Sequence, residues 1–245
     1  VKESEVIGIL GGMGPAATAD FYAKLVASTH VLRDQDHPRV VIWADPAIPD
    51  RTEALLEGGE DPTPWMVRGI NILADAGATM IAIPCNTAHA FIPTLEGAAP
   101  LPIIHMIGAV ARELAEATDP VTRVGLLATT GTCRARLYQE WMVKRGIEVL
   151  LPDTGDQETV MRAIRAVKAG RSGPQIEELF ADAADRLVES GAQAIVAGCT
   201  EIPLALHADS LAVPLIDPVL VLARAVLVRA GIRDSALPTL ETSVA

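Results

Sequence analysis

Met80-Ile81-Ala82-Ile83-Pro84-Cys85-Asn86-Thr87-Ala88-His89 is an apolar run that stops at a thiol and small polar residues. Such a run reads as a buried strand opening into a polar loop. The chain repeats it as Ala194-Ile195-Val196-Ala197-Gly198-Cys199-Thr200-Glu201, with the two cysteines 114 positions apart. Three further landmarks recur in the same order. Leu73 to Ala78 returns as Leu187-Val188-Glu189-Ser190-Gly191-Ala192, Gly77 and Gly191 being 114 apart. Leu101-Pro102-Ile103-Ile104-His105 returns as Val213-Pro214-Leu215-Ile216-Asp217, the prolines 112 apart. Val124 to Thr132 matches Ile7 onward, pairing Gly8 with Gly125 and Gly14 with Gly131 at 117. An internal duplication accounts for all of these, and its period is far longer than that of a solenoid.

Within each copy, short apolar runs alternate with helical ones. Val6 to Leu10 reads as a strand, Ala16 to about Ser28 as a helix, Val40 to Ala44 as a strand, Pro64 to Ala76 as a helix and Ile107 to Ala117 as another. The prolines of Asp45-Pro46-Ala47-Ile48-Pro49-Asp50-Arg51 predict an irregular loop. Alternation of this kind predicts an α/β protein with parallel sheets covered by helices on both faces. The expected domains are 1–104 plus 217–245, and 105–216, with Pro218 to Ala230 closing the chain as a helix packed on one of them. Ligands on open α/β sheets bind beyond the carboxyl ends of strands. If the halves face each other about a pseudo-twofold axis, Cys85 and Cys199 meet across an inter-domain cleft that would be the active site.

The 245 residues are 50% hydrophobic but only 3% aromatic, so the core must be built from Ala, Val, Ile and Leu. A formal net charge of −11 argues against a nucleic-acid or anionic-membrane partner and leaves a small molecule as the expected one. No apolar run reaches the length of a membrane span. The start, Val1-Lys2-Glu3-Ser4-Glu5, has no signal-peptide pattern, so three reduced cysteines in the cytoplasm are the expectation.

A lone cysteine is usually a small core hydrophobe. A pair repeated at strand ends, each followed by small polar residues, points to catalysis instead. A thiolate on one face of a carbon and a thiol on the other can remove a proton and return it on the opposite side, inverting a stereocentre. Cys133 has Ala16 as its counterpart and reads as structural. Two cysteines without a Cys-x-x-Cys or clustered His are poor metal ligands, so no metal is expected. The turn Gly11-Gly12-Met13-Gly14-Pro15 suits an anion; a tight turn with no ligand is equally consistent. Arg51 and Lys168 are 117 apart, the spacing of the glycine turns, and a pair of cations would suit two carboxylates. A loop ion pair and a solvated helix charge are the alternatives. His89, one turn past Cys85, reads as an ordinary helix histidine, with a proton partner of the thiol as the alternative. Lys2, Lys24, Lys144 and Lys168 are the lysines, and none carries a motif for a pyridoxal Schiff base, so no cofactor is expected.

The combination Gly11-Gly12-Met13-Gly14-Pro15, Pro84-Cys85-Asn86-Thr87-Ala88-His89, Leu127-Ala128-Thr129-Thr130-Gly131-Thr132 and Gly198-Cys199-Thr200-Glu201 resembles the aspartate racemase branch of the aspartate/glutamate racemase superfamily, from about Val6 to Ala230. Glutamate racemases carry an Asp-Ser-Gly start and a His after the second Cys-Thr; Gly-Gly-Met-Gly and Glu201 stand there in this chain. The resemblance implies racemisation without pyridoxal phosphate by Cys85 and Cys199, two pseudo-symmetric domains and a homodimer. It puts substrate contacts on Met13, Asn86, Thr87, Thr129, Thr130, Thr200 and Glu201, and substrate carboxylates on Arg51 and Lys168. Aspartate is the expected substrate. A broad-specificity amino-acid racemase, a maleate- or malonate-type relative and a non-catalytic amino-acid-binding protein are the alternatives.

Overall fold

The computed structural model describes residues 5–232. The chain runs β1 (Val6–Gly11), α1 (Pro15–Ala27), β2 (Arg39–Ala44), α2 (Arg51–Leu56), α3 (Thr63–Asp75), β3 (Met80–Ala82), α4 (Ile92–Ala98), β4 (Ile103–Ile104) and α5 (Met106–Glu116). It continues as β5 (Arg123–Ala128), α6 (Thr130–Arg134), α7 (Leu137–Met142), β6 (Glu148–Leu150), α8 (Thr154–Lys168), α9 (Pro174–Glu189), β7 (Ala194–Gly198), β8 (Leu215–Ile216) and α10 (Pro218–Arg229).

The strands form two four-stranded sheets, β2-β1-β3-β4 and β6-β5-β7-β8, and every pairing in both is parallel. The identical order is the structural counterpart of the repeated sequence. The chain divides into two compact units, one of described residues 5–109 with 219–232, the other of 110–218.

In the first unit, Ile7 and Ile9 of β1 and Met80 and Ala82 of β3 pack with Phe21 and Leu25 of α1 and Val219, Leu222, Ala223, Val226 and Leu227 of α10. Leu10 and Ile81 point the other way, against Met66, Ile70 and Leu73 of α3. Alternate residues of a strand face opposite sides of the sheet, so both faces are covered. The second unit packs Leu127 of β5 and Ile195 and Ala197 of β7 on Val160, Ala163 and Ile164 of α8 and Phe180, Ala183, Ala184 and Leu187 of α9. Aliphatic side chains and alanines dominate these cores, as the low aromatic content requires.

The repeated Leu-to-Gly-Ala segment has a physical reason. Both α3 and α9 end in a glycine with positive φ, +91° at Gly77 and +98° at Gly191. Gly77 N–H donates to the Ala74 carbonyl at 2.9 Å and Ala78 N–H to that of Leu73 at 3.0 Å. Gly191 and Ala192 do the same to Val188 and Leu187, at 2.8 and 2.9 Å. This six-to-one and five-to-two pairing is a Schellman cap, which ends the helix and aims the chain into the next strand. In both units that strand is the one leading to a cysteine.

Candidate active site

In each sheet the chain lays its first two strands in one direction and its next two in the other. The order therefore reverses between β1 and β3, and between β5 and β7. Ligands of open α/β sheets bind outside the carboxyl ends at such a reversal. The segments leaving those four strand ends hold the Gly11–Pro15 turn, Cys85, the Thr129-Thr130 turn and Cys199.

Strand β3 stops at Ala82, earlier than the apolar run predicts. Pro84 has no N–H to donate to a ladder, and the Cys85 N–H turns back onto the Ile83 carbonyl at 2.8 Å. Asn86 then leads into a 3-10 turn, Thr87–Phe91. The turn carries His89 under Cys85, and its ring Nδ1 lies 2.9 Å from the Cys85 carbonyl oxygen. Nε2 accepts the Met106 N–H at 3.0 Å. Because Nε2 accepts, the ring proton belongs on Nδ1, which donates to Cys85. Burial, with the neighbouring His105 edge-on at 5.0 Å, pushes the His89 pKa down to about 3. His89 is thus a neutral anchor of the cysteine's backbone; it was read from sequence as an ordinary helix histidine. Its position four residues after the cysteine was the available signal. The thiol, 6% exposed, lies in the apolar cluster with Met13, Ile48, Ile83 and Ala88.

Arg51 reaches the same cluster. It is not a loop residue as predicted but the first residue of α2. The prolines hold 45–50 irregular only until Asp50, whose Oδ1 accepts from Thr52 N–H at 2.7 Å and Glu53 N–H at 3.1 Å and so starts the helix. The guanidinium is turned inward, 8% exposed. Nη1 donates to the carbonyls of Ile48 and Pro49 at 3.1 and 2.9 Å, and Nη2 lies 3.4 Å from that of Met13. Nε has no partner. Among the described residues no carboxylate pairs with Arg51. Carbonyls hold the group in place but do not neutralise it, and a buried charge calls for a counter-charge. Gly12, opposite, packs its backbone on that of Asp45 so closely that a Cβ would lie 2.3 Å from it. Met13, the next residue, is buried in the cluster at 3% exposure.

In the second unit, Thr129 caps α6, its Oγ1 accepting the Thr132 N–H at 3.2 Å. Thr130 N–H points at Met161 Sδ, 3.3 Å away, and Gln157 Nε2 donates to the Ala128 carbonyl at 3.0 Å. Cys199 is 5% exposed and its Sγ donates to Glu201 Oε2 at 2.9 Å. Thr200 Oγ1 donates to the same oxygen at 3.2 Å. Burial and the Glu201 charge push the Cys199 thiol pKa well up, and the charge of Lys168 works against them. Tyr138, fully buried, has its pKa raised by burial and then by Asp217 and Cys199. Neither Tyr138 nor Gln157 was singled out from sequence, since contacts across a fold leave no local pattern. Cys133 is buried, with its pKa pushed up to about 12, and its Sγ lies 3.7 Å from Gln157 Oε1.

The first unit thus gathers Met13, Arg51, Cys85, Asn86 and Thr87 about its strand ends, and the second gathers Thr129, Thr130, Cys199, Thr200 and Glu201. Lys168 is an exposed last residue of α8, whereas Arg51 is a buried first residue of α2. Their shared spacing therefore pairs a helix start with a helix end. Among the described residues no three His, Cys, Asp or Glu side chains are grouped to hold a metal, and no helix is long and apolar enough to cross a membrane.

The aspartate racemase of Picrophilus torridus has a similar structure, with a TM-score of 0.81 and 32% identity, covering 94% of this chain and 96% of that one. An aspartate racemase homologue from Pyrococcus horikoshii matches with a TM-score of 0.76 and 26% identity, over 93% and 99% of the two chains. The broad-specificity amino-acid racemase RacX of Bacillus subtilis is 27% identical over 216 residues, 86% of this chain and 92% of its own. The profile of the Asp/Glu/hydantoin racemases spans residues 10–226, both thiols and nearly all of both sheets included, and the chain belongs to that family.

Proposed function

We propose that the protein interconverts the L- and D-forms of aspartate by two-base proton transfer, with Cys85 and Cys199 as the bases and no cofactor. The observation that carries this reading is the matched position of the thiols. Each is buried, and each follows the strand beside the order reversal of its own sheet. One thiolate removes the α-proton and the other thiol delivers a proton to the opposite face; the roles exchange when the reaction runs backward.

Aspartate is favoured by Arg51, a buried guanidinium without a carboxylate partner among the described residues, which suits the side-chain carboxylate of a dicarboxylic amino acid. Lys168 is assigned a carboxylate as well, consistent with the effect of its charge on Cys199. Asn86, Thr87, Thr200, the Thr129-Thr130 turn and Met13 are assigned to the α-carboxylate and the reacting carbon, where preorganised donors stabilise developing charge. The aspartate racemase of Picrophilus torridus supports the same choice. A homodimer in the cytoplasm goes with this reading.

The test is incorporation of solvent deuterium at the α-carbon of aspartate, with inversion, by protein to which nothing has been added. Full racemisation in both Cys85→Ala and Cys199→Ala removes the two-thiol mechanism. Broad specificity is the second reading, favoured by the full-length likeness to the Bacillus subtilis enzyme. A panel of amino acids decides it: comparable turnover of neutral amino acids replaces aspartate as the substrate. Binding of aspartate without any α-proton exchange would make the protein a binding module.

A further inference from the structure

We infer that Glu201 is the proton partner of Cys199, a role distinct from the substrate contact assigned to it from sequence. The inference rests on the two-thiol reading. Its basis is geometric. The Cys199 sulfur and Glu201 Oε2 are 2.9 Å apart, and the same oxygen also takes the Thr200 hydroxyl. Thiol and carboxylate are both buried, at 5% and 3% exposure. A carboxylate oxygen already engaged by two neighbours of its own chain is poorly placed to bind substrate and well placed to take the thiol proton.

The step balances within the pair. The S–H bond of Cys199 breaks and an O–H bond forms on Glu201 Oε2, leaving a thiolate beside a carboxylic acid with the charge of the pair unchanged. The thiolate takes the α-proton; the electron pair stays on the substrate carbon, and Cys85 closes the reaction by giving its own proton to the opposite face. In the reverse direction Cys199 gives its proton to carbon and is reprotonated from Glu201. The Cys85 thiol lies in an apolar cluster with Met13, Ile48, Ile83 and Ala88, whereas the Cys199 thiol has a carboxylate at hydrogen-bond distance. The α-proton exchange that each thiol catalyses on its own should therefore depend unequally on Glu201.

The experiment is α-proton exchange in D₂O in single-thiol proteins. In Cys85→Ala the enantiomer that still exchanges is the one served by Cys199, and in Cys199→Ala it is the one served by Cys85. Adding Glu201→Gln should slow the first exchange about 10²-fold, the scale of general acid–base assistance, and slow the second far less. Glu201→Asp, which keeps a carboxylate, should restore part of the lost rate. A second readout needs no turnover: the pH at which Cys199 becomes reactive to iodoacetamide should fall in Glu201→Gln, because a thiol-holding negative charge has gone. Equal losses in both single-thiol proteins would return Glu201 to a substrate-binding role, and no loss in either would overturn the inference; racemisation that survives both cysteine substitutions would instead remove the two-thiol reading beneath it. Should Glu201→Gln fail to fold, unchanged exchange and unchanged alkylation in Glu201→Asp, whose shorter side chain withdraws the oxygen from the sulfur, overturns the inference just as well.

Discussion

The thiol of Cys85 lies among Met13, Ile48, Ile83 and Ala88, with a neutral histidine on its carbonyl. The thiol of Cys199 donates to a carboxylate and feels the charge of a lysine. Both follow the third strand of a sheet whose order is the same. Duplication thus preserved the position of the thiol but not its chemistry. Each cysteine belongs to its unit's apolar cluster; the first unit brings a buried cation to that cluster, and the second sets a carboxylate on the thiol. On the proposed function, a symmetric task, moving a proton between two faces of one carbon, would be laid on two unlike halves. The comparison can be broken one residue at a time.

The largest effect is expected at the thiols. Cys85→Ala and Cys199→Ala should each reduce racemisation by about 10²–10⁴-fold, the range for loss of a general acid or base, while each protein still exchanges the α-proton of one enantiomer with solvent. The surviving enantiomer should differ between the two proteins. Survival of the same enantiomer in both would mean that the two thiols do not serve opposite faces.

Arg51 comes next. Arg51→Gln removes the buried charge but keeps donors near the carbonyls of Ile48 and Pro49. Charged hydrogen bonds contribute about 1.5–3 kcal/mol, so kcat/KM for aspartate should fall about 10- to 100-fold, and alanine should lose little. Lys168→Gln should have the smaller effect, because Lys168 is exposed at the end of α8. The reverse ranking would move the main carboxylate contact to the second unit.

Much of this architecture was legible in the sequence because its signals are local. Leu73 to Ala78 and Leu187 to Ala192 spell the same helix cap, and the strands they enter carry the paired cysteines. Signals that depend on distant partners were not legible. The spacing of His89 four residues after Cys85 allows a contact but does not say that the ring reaches the Cys85 carbonyl, and nothing local shows that a Glu201 oxygen lies on the Cys199 thiol. Counting residues also misled. The turn from β1 to α1 takes Gly12, Met13 and Gly14, but that from β5 to α6 takes only Thr129. The units therefore differ in loop length, and the spacing that pairs Arg51 with Lys168 matches a helix start to a helix end. Strand β6 is three residues, none of them buried, and the short run Val149-Leu150-Leu151 before Pro152 is too brief to mark a strand by its pattern.

His89 separates the units in their response to acid. Its folded pKa, about 3, lies below the ordinary value of 6.5. Between those values the unfolded chain binds a proton that the folded chain refuses, so the contribution to stability is fully present above pH 6.5 and is lost as pH falls toward 3. Each such proton gives a slope of about 1.36 kcal/mol per pH unit. His89→Gln should reduce the slope of unfolding free energy near pH 5 by about that amount. It should also lower stability at pH 7 by about 1–3 kcal/mol through the Met106 N–H and Cys85 carbonyl left poorly paired. Denaturant titrations across pH 4–7 measure both. An unchanged slope would mean that the ring is already solvated and does not hold the Cys85 backbone.

The smallest effect tests what the two units share. Gly77 and Gly191 close the same cap with nearly the same φ, but they differ in their surroundings. A Cβ on Gly77 would meet nothing within 4 Å, whereas one on Gly191 would lie 2.3 Å from the Arg123 guanidinium. Gly77→Ala should thus cost only the left-handed penalty, about 1 kcal/mol. Gly191→Ala should cost that and a displacement of Arg123, whose Nε pairs with the β6 residue Glu148 at 2.9 Å. The pair is exposed and its loss should add little, since surface ion pairs contribute about 0–1 kcal/mol. Nearly equal losses in denaturant midpoint would show that the cap is an autonomous piece of both repeats. A much larger loss at Gly191 would show that the Arg123 contact braces β5 against β6, beside the strand that leads to Cys199.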